Sequence, residues 1–171
     1  MIQRKVCLVG DFSVGKTSLF SRFIYNKFSE EYLTTVGVRM QRKIVPTRSD
    51  TVALILWDIE GGRDGGTVRE SYLDAATGAV VVCDLTRLAT IMNTKNYVEL
   101  LLRVNPAMQI VLAGNKLDLL PPEHAHLILV RRVAAQLDQP LTLTSASTGV
   151  GVEDMFTTLG ERLIQHAVQQ P

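Results

Sequence analysis

Short apolar runs alternate along this chain with stretches of helical spacing. Val6-Cys7-Leu8-Val9 stops at Gly10 and reads as a strand buried on both faces. Leu19, Phe20, Phe23 and Ile24 then repeat at helical intervals, and a polar, aromatic-dotted loop covers 26–35. Strand-like segments follow at 38–45 and 52–57, with Thr47, Arg48, Ser49 and Asp50 as the polar turn between them. Residues 61–66 hold four glycines in six positions, a composition unsuited to a firm helix or strand. Ala79-Val80-Val81-Val82-Cys83 is a further central strand. The spacing predicts a helix over 91–102, with Pro106 just past its end. Ile110-Val111-Leu112-Ala113-Gly114 is another buried strand. Pro121-Pro122-Glu123 is expected to open a helix in which Val130, Val133, Ala134 and Leu137 share a face. A short strand at 141–144 and a last helix burying Val152, Met155, Phe156, Leu159 and Leu163 complete the pattern. Buried parallel strands joined by helices make a doubly wound α/β sheet, which binds ligands at the C-terminal ends of its strands.

The 171 residues fit a single domain, 1–171. With 46% hydrophobic and 20% charged residues, the chain has the material for a core and too little charge for disorder. A net charge of +1, with no long basic run, argues against nucleic acid as a partner. Cys7 and Cys83 sit inside apolar runs and read as small buried hydrophobes rather than a disulfide. Met-Ile-Gln-Arg-Lys leads straight into a strand, so no signal peptide is expected. Ile2 excludes myristoylation, and the terminal Gln-Gln-Pro has no cysteine for prenylation. The expectation is a cytoplasmic chain without a lipid anchor, reaching membranes only if a lipidated tail is missing from this sequence. His124 and His126 lack the companions of a zinc site and read as an exposed pair. His166 falls near the end of the last helix, where it meets the helix dipole, and Arg131-Arg132 reads as a solvated face.

Gly10-Asp11-Phe12-Ser13-Val14-Gly15-Lys16-Thr17 matches G-x-x-x-x-G-K-[ST], directly after a strand and before a helix. A polyphosphate needs many N–H donors aimed at one place. Glycines let the backbone curl around it, and the helix N-terminus adds its positive end. Ser13, Val14, Gly15, Lys16, Thr17 and Ser18 are therefore nucleotide-binding candidates, with Lys16 on the β- and γ-phosphates and the Thr17 hydroxyl on Mg²⁺. The motif names no base. Asn115-Lys116-Leu117-Asp118 follows a buried strand. A buried Asp118 carboxylate would accept from guanine N1–H and its exocyclic amine, a donor pair that adenine lacks. Asn115 ties loops together in this reading, and the Lys116 stem lies on the ring. Backbone amides of Thr144-Ser145-Ala146 are candidates for guanine O6. Asp58 is placed to hold Mg²⁺ through a water, and the Gly61 N–H to meet the γ-phosphate. Thr35 is the second candidate hydroxyl ligand to Mg²⁺, with Thr34 as its rival.

In this order and spacing, residues 10–17, Thr35, 58–61, 115–118 and Ser145-Ala146 resemble the motifs of the Ras superfamily, and most closely its Rab branch. The resemblance spans nearly the whole chain. It implies a P-loop NTPase fold: a six-stranded, mostly parallel sheet with one antiparallel strand and helices on both faces. It implies a small switch protein that binds GTP and GDP with Mg²⁺ and hydrolyses GTP slowly, in signalling and vesicle traffic. Phe28 falls where the family packs an aromatic on guanine, and Tyr32 where it has a switch tyrosine. The loops about 26–38 and 59–73 would order around the γ-phosphate. Met40, Trp57 and Tyr72 correspond to a patch read by effectors; the competing reading makes Trp57 and Tyr72 plain core residues. An exchange factor and an activating protein are implied as well.

The chain departs from the family where hydrolysis is decided. Lys16, Thr35 and Gly61 are the expected γ-phosphate groups, but Gly62 replaces the Gln that orients the attacking water. Phe12 replaces a small residue and crowds the approach of an activating arginine. Both changes predict slow hydrolysis, or a hydrolysis-deficient, GTP-dependent scaffold as the alternative. Arg63 and Glu60 are substitutes for positioning water, against a reading as surface charge. Ser147 stands where the family often has a Lys packed on the base, and Ile59-Glu60 replaces Thr-Ala ahead of a glycine-rich, mobile second switch. A metabolic nucleotide kinase is the third reading; it would need an arginine-bearing lid and an acceptor site, and neither is visible.

Overall fold

The computed structural model describes residues 1–29, 37–59 and 68–169. Among these, the elements are β1 (Ile2–Val9), α1 (Lys16–Tyr25), β2 (Val38–Pro46), β3 (Thr51–Ile59), α2 (Glu70–Leu73), β4 (Gly78–Asp84), α3 (Leu88–Val104), β5 (Gln109–Asn115), α4 (Ala125–Gln136), β6 (Leu141–Leu143) and α5 (Val152–Gln169). The strands form one six-stranded sheet in the order β2-β3-β1-β4-β5-β6. Only β2 runs antiparallel, against β3. The doubly wound P-loop NTPase arrangement expected from the sequence is therefore the one observed.

Strand alternation divides the core into two layers. Val6, Leu8, Leu54, Leu56, Val80 and Val82 face α1 and α5, meeting Phe20, Phe23, Phe156 and Leu159. Cys7, Val9, Ala79, Val81, Ile110 and Leu112 face the other way, against Val98 and Leu101 of α3. Cys83 joins Ile91, Val130 and Val133 between α3 and α4. Every residue of β4 is buried, as a strand covered on both faces requires. Burial pushes the Cys7 and Cys83 thiols up to about 12, which leaves both unreactive small hydrophobes.

Several boundaries differ from the pattern reading. β3 continues past Trp57 to Ile59, so Asp58 lies inside a strand, opposite Leu8 and Arg39. Its charge does not end the strand because the backbone is paired on both sides and the carboxylate finds a hydroxyl partner. Part of the expected 59–73 loop is instead the short helix α2. α3 starts at Leu88 and reaches Val104, since no glycine or proline interrupts it; the Asn105 N–H still bonds Leu101 O. α4 starts at Ala125, after a turn closed by His124 N–H on Pro121 O, rather than at the prolines. The histidine pair is half-buried rather than exposed. His124 Nδ1 accepts the His126 N–H at 3.1 Å as the helix cap, and His126 Nδ1 lies 2.7 Å from Leu85 O. Among the described residues, no cluster of metal-binding side chains surrounds them. Arg131 and Arg132 are exposed, as expected. No helix among the described residues is long and apolar enough to cross a membrane.

The tightest aromatic contact in the α1–α5 layer stacks Phe23 on Phe156, ring centroids 3.9 Å apart and both buried. Phe156→Ala is expected to lose about 3–5 kcal/mol. Urea unfolding should report it as a lower midpoint with an unchanged slope.

Candidate functional site

β1 delivers the chain to the C-terminal edge of the sheet, and the backbone then turns through the left-handed region at Gly10 (φ 149°), Ser13 (φ 65°) and Gly15 (φ 101°). Two of these positions admit only glycine. A Cβ on Gly10 would overlap the Val82 carbonyl oxygen of β4, and one on Gly15 would overlap the Asn115 side-chain nitrogen. The carbonyls of the loop are all engaged. Gly10 O and Asp11 O accept Lys16 Nζ at 2.9 and 2.8 Å. Phe12 O accepts an Arg87 guanidinium N–H at 2.8 Å, and Ser13 O accepts Lys116 Nζ at 3.0 Å. Val14 O accepts Asn115 Nδ2 at 3.0 Å, and Gly15 O takes the Leu19 N–H at 2.9 Å inside α1. In a trans peptide the next N–H points opposite to its carbonyl. Anchoring the carbonyls on surrounding side chains thus turns the amides of the same peptide planes the other way, the arrangement an anion needs.

Lys16 opens α1 and is buried, 6% exposed. Burial draws its ammonium down from 10.5 to about 8, although the negative charges of Asp58 and Asp11 oppose that. The next residue, Thr17, donates its hydroxyl to Asp58 Oδ2 at 2.8 Å, and both are buried. Adjacent hydroxyl and carboxylate oxygens suit a hard dication such as Mg²⁺. Ser18 lies in the first turn of α1, half-buried.

β5 ends in Asn115, whose side chain bridges three segments. Besides its bond to Val14 O, its Oδ1 accepts Thr144 Oγ1 and the Ala146 N–H, each at 3.2 Å. Ser145 Oγ donates to Asp118 Oδ1 at 2.7 Å. The structure therefore brings residues 10–17, 115–118 and 144–147 to one edge, as the sequence reading requires. It corrects one detail: Asp118 is exposed, because it sits on a short 3₁₀ turn (Leu117–Leu119) at the rim rather than in the wall. Phe28, beyond the end of α1, is also exposed, at 39%.

Pattern reading missed the side chains that brace these loops. Asp84, at the end of β4, receives Lys116 Nζ at 2.7 Å and Arg87 Nε at 3.0 Å. Burial alone would raise its carboxyl, but hydrogen bonds from Lys116 and Thr86 outweigh that and hold it below the ordinary carboxylate value. On the other side, Arg22 of α1 donates to Ala146 O at 2.8 Å and Ser147 O at 2.7 Å. A charged residue closing an apolar run at the ligand edge was the available signal for Asp84. Arg22 had none.

On the α2 side of the sheet, Met40 is 58% exposed and pairs with Trp57 across β2 and β3. Trp57 and Tyr72 are half-buried against the core, and Lys5 Nζ stands 3.6 Å over the Trp57 ring. Neither aromatic is a plain core residue. Tyr32, Thr34, Thr35, Glu60, Gly61, Gly62, Arg63 and the glycine-rich stretch after them lie outside the described residues.

Comparison with known proteins matches residues 5–165 to the Ras family. The chain is 30% identical over 156 residues to the GTP-binding protein YPTM1 of Zea mays, covering 91% of this chain and 75% of that protein. It is 31% identical over 156 residues to the Ras-related protein RABD1 of Arabidopsis thaliana, covering 91% of this chain and 76% of the relative.

Lys16 makes stability depend on pH. Between about 8 and 10.5 the unfolded chain holds a proton on Lys16 that the folded chain has released, so stability of the ligand-free protein rises with pH across that window. Lys16→Met is expected to abolish this rise. Urea midpoints of both proteins along a pH series check it.

Proposed function

The chain belongs to the Ras family as a Rab-like, small GTP-binding regulatory protein, and on that premise we propose that residues 10–18 hold the phosphates while 115–118 and 145–147 select guanine. The observation that carries this reading is Asn115, whose one side chain is bonded to Val14 O, Thr144 Oγ1 and the Ala146 N–H. A nucleotide bridging these loops would have its phosphates at Lys16 and its base at Asp118. Ser145 already orients the Asp118 carboxylate. The exposed carboxylate then loses water only against a base, and a base without two donors leaves it unpaired at a cost of about 1–3 kcal/mol or more. A phosphate beside Lys16 would offset the burial that draws its ammonium down and so favour the charged form.

We assign Thr17, and Asp58 through a water, as holders of Mg²⁺, with Thr35 as the further ligand; bound there, the ion would offset the charge of the phosphates. Hydrolysis of GTP to GDP is the family reaction. In this chain Gly62 has no side chain to orient water, so turnover is slow, at or below about 10⁻⁴ s⁻¹. Gly62 and Phe12 also support the second reading, a GTP-dependent scaffold that holds its nucleotide intact. Effector, exchange-factor and activating partners come with family membership, and Met40, Trp57 and Tyr72 are the surface we assign to effectors.

Purified protein should carry guanine nucleotide, and labelled GDP should be displaced by GTP but not by ATP. Asp118→Ala is expected to weaken GDP by about a hundredfold or more, with ATP unaffected. Equal competition by ATP would refute the guanine assignment. In single-turnover hydrolysis, Gly62→Gln should accelerate the reaction. A wild-type rate well above about 10⁻⁴ s⁻¹ would refute the slow-turnover reading, and recovery of bound GTP in place of GDP would favour the scaffold.

A further inference from the structure

The outer limb of the 10–17 loop is fastened to α3. Asp11 Oδ1 accepts Asn93 Nδ2 at 2.6 Å and Tyr97 Oη at 2.9 Å. Asn93 and Tyr97 stand one turn apart, so their side chains leave α3 from the same face. Asn96 Nδ2 donates to Asn93 Oδ1 at 2.5 Å, which fixes the Asn93 amide with its nitrogen toward Asp11. Burial and the adjacent Asp11 charge raise the Tyr97 phenol, so its hydroxyl keeps the proton it donates. Arg87, at the cap of α3, reaches Phe12 O while its Nε stays on Asp84.

A carboxylate in a loop built for a polyanion is an electrostatic liability. Like charges within a few ångströms repel strongly wherever water is excluded. Two donors on Asp11 draw its charge toward the helix and offset it there. The liability becomes an anchor, because hydrogen bonds to an ionised acceptor are the stronger kind. A loop held from behind does not have to be ordered by its ligand, and that saves the entropy of ordering on binding.

We propose that Asn93 and Tyr97, acting through Asp11, are positioning residues that hold the loop amides ready for a nucleoside diphosphate. The proposal rests on the phosphate-binding role assigned to residues 10–18 above. Neither is among the residues assigned above to nucleotide contact.

The test uses the full chain loaded with GDP and with a fluorescent GDP analogue. Tyr97→Phe, which removes a single oxygen, is expected to speed release about threefold, and Asn93→Ala combined with Tyr97→Phe about tenfold. The ³¹P resonance of the β-phosphate should move in both variants, since it reports the donors around that group. Lys95→Ala, at an exposed helix position, should leave release and resonance at the wild-type values. Weakened helix packing alone would lower the melting temperature without shifting the phosphorus signal. If wild type holds GDP while Tyr97→Phe and the double variant release it within about twofold of wild type, with the resonance unmoved, the positioning role is overturned and the nucleotide reading stands. If wild type fails to hold GDP, both are overturned.

Discussion

Six consecutive carbonyl groups, from Gly10 to Gly15, each accept a hydrogen bond, and most of the site follows from that requirement. Backbone polar groups left without partners are costly. Four side chains, Lys16, Arg87, Asn115 and Lys116, supply the donors for the first five carbonyls. They come from α1, from the cap of α3 and from the end of β5. Three elements therefore have to be in place before the loop has its shape. The sheet order puts β1, β4 and β5 side by side, which brings all three to one edge.

Charge is arranged around the same loop in an economical way. Lys16 and Lys116 each have a neighbouring carboxylate, Asp58 for the first and Asp84 for the second. Asp84 also holds Arg87, so one buried acid at the end of β4 positions two cations, each of which donates to a different loop carbonyl. Removing it would leave both cations, which stay in partial contact with water, without the acid that positions them. The stiffness of the loop thus depends on an acid that lies outside it.

Much of this was legible beforehand. The apolar runs marked the inner strands because doubly buried strands need uniform apolar sequence. Gly15 and Asn115 were recognisable from their motifs, but their mutual dependence was not; it is the Asn115 side chain that forbids a Cβ at Gly15. Asp58 was identified while β3 was ended two residues too early, since pattern reading treats a charge as a terminator and cannot see paired backbone on either side. Asp118 was expected in the wall and lies at the rim, because burial of a polar side chain has no signature in spacing. Asn93, Tyr97 and Arg22 were missed for a related reason. They act on groups far away in sequence, 124 residues in the case of Arg22 and the Ala146 carbonyl, and single polar residues on helices carry no periodic mark.

α1 has a property that neither of its ends reveals alone. It begins with Lys16 and Thr17 beside the 10–15 loop, and two turns later its Arg22 clasps the carbonyls of Ala146 and Ser147 in the 144–147 loop. The helix is a single stiff rod joining the two loops. Tilting it would disturb the contacts at both ends together rather than in stages.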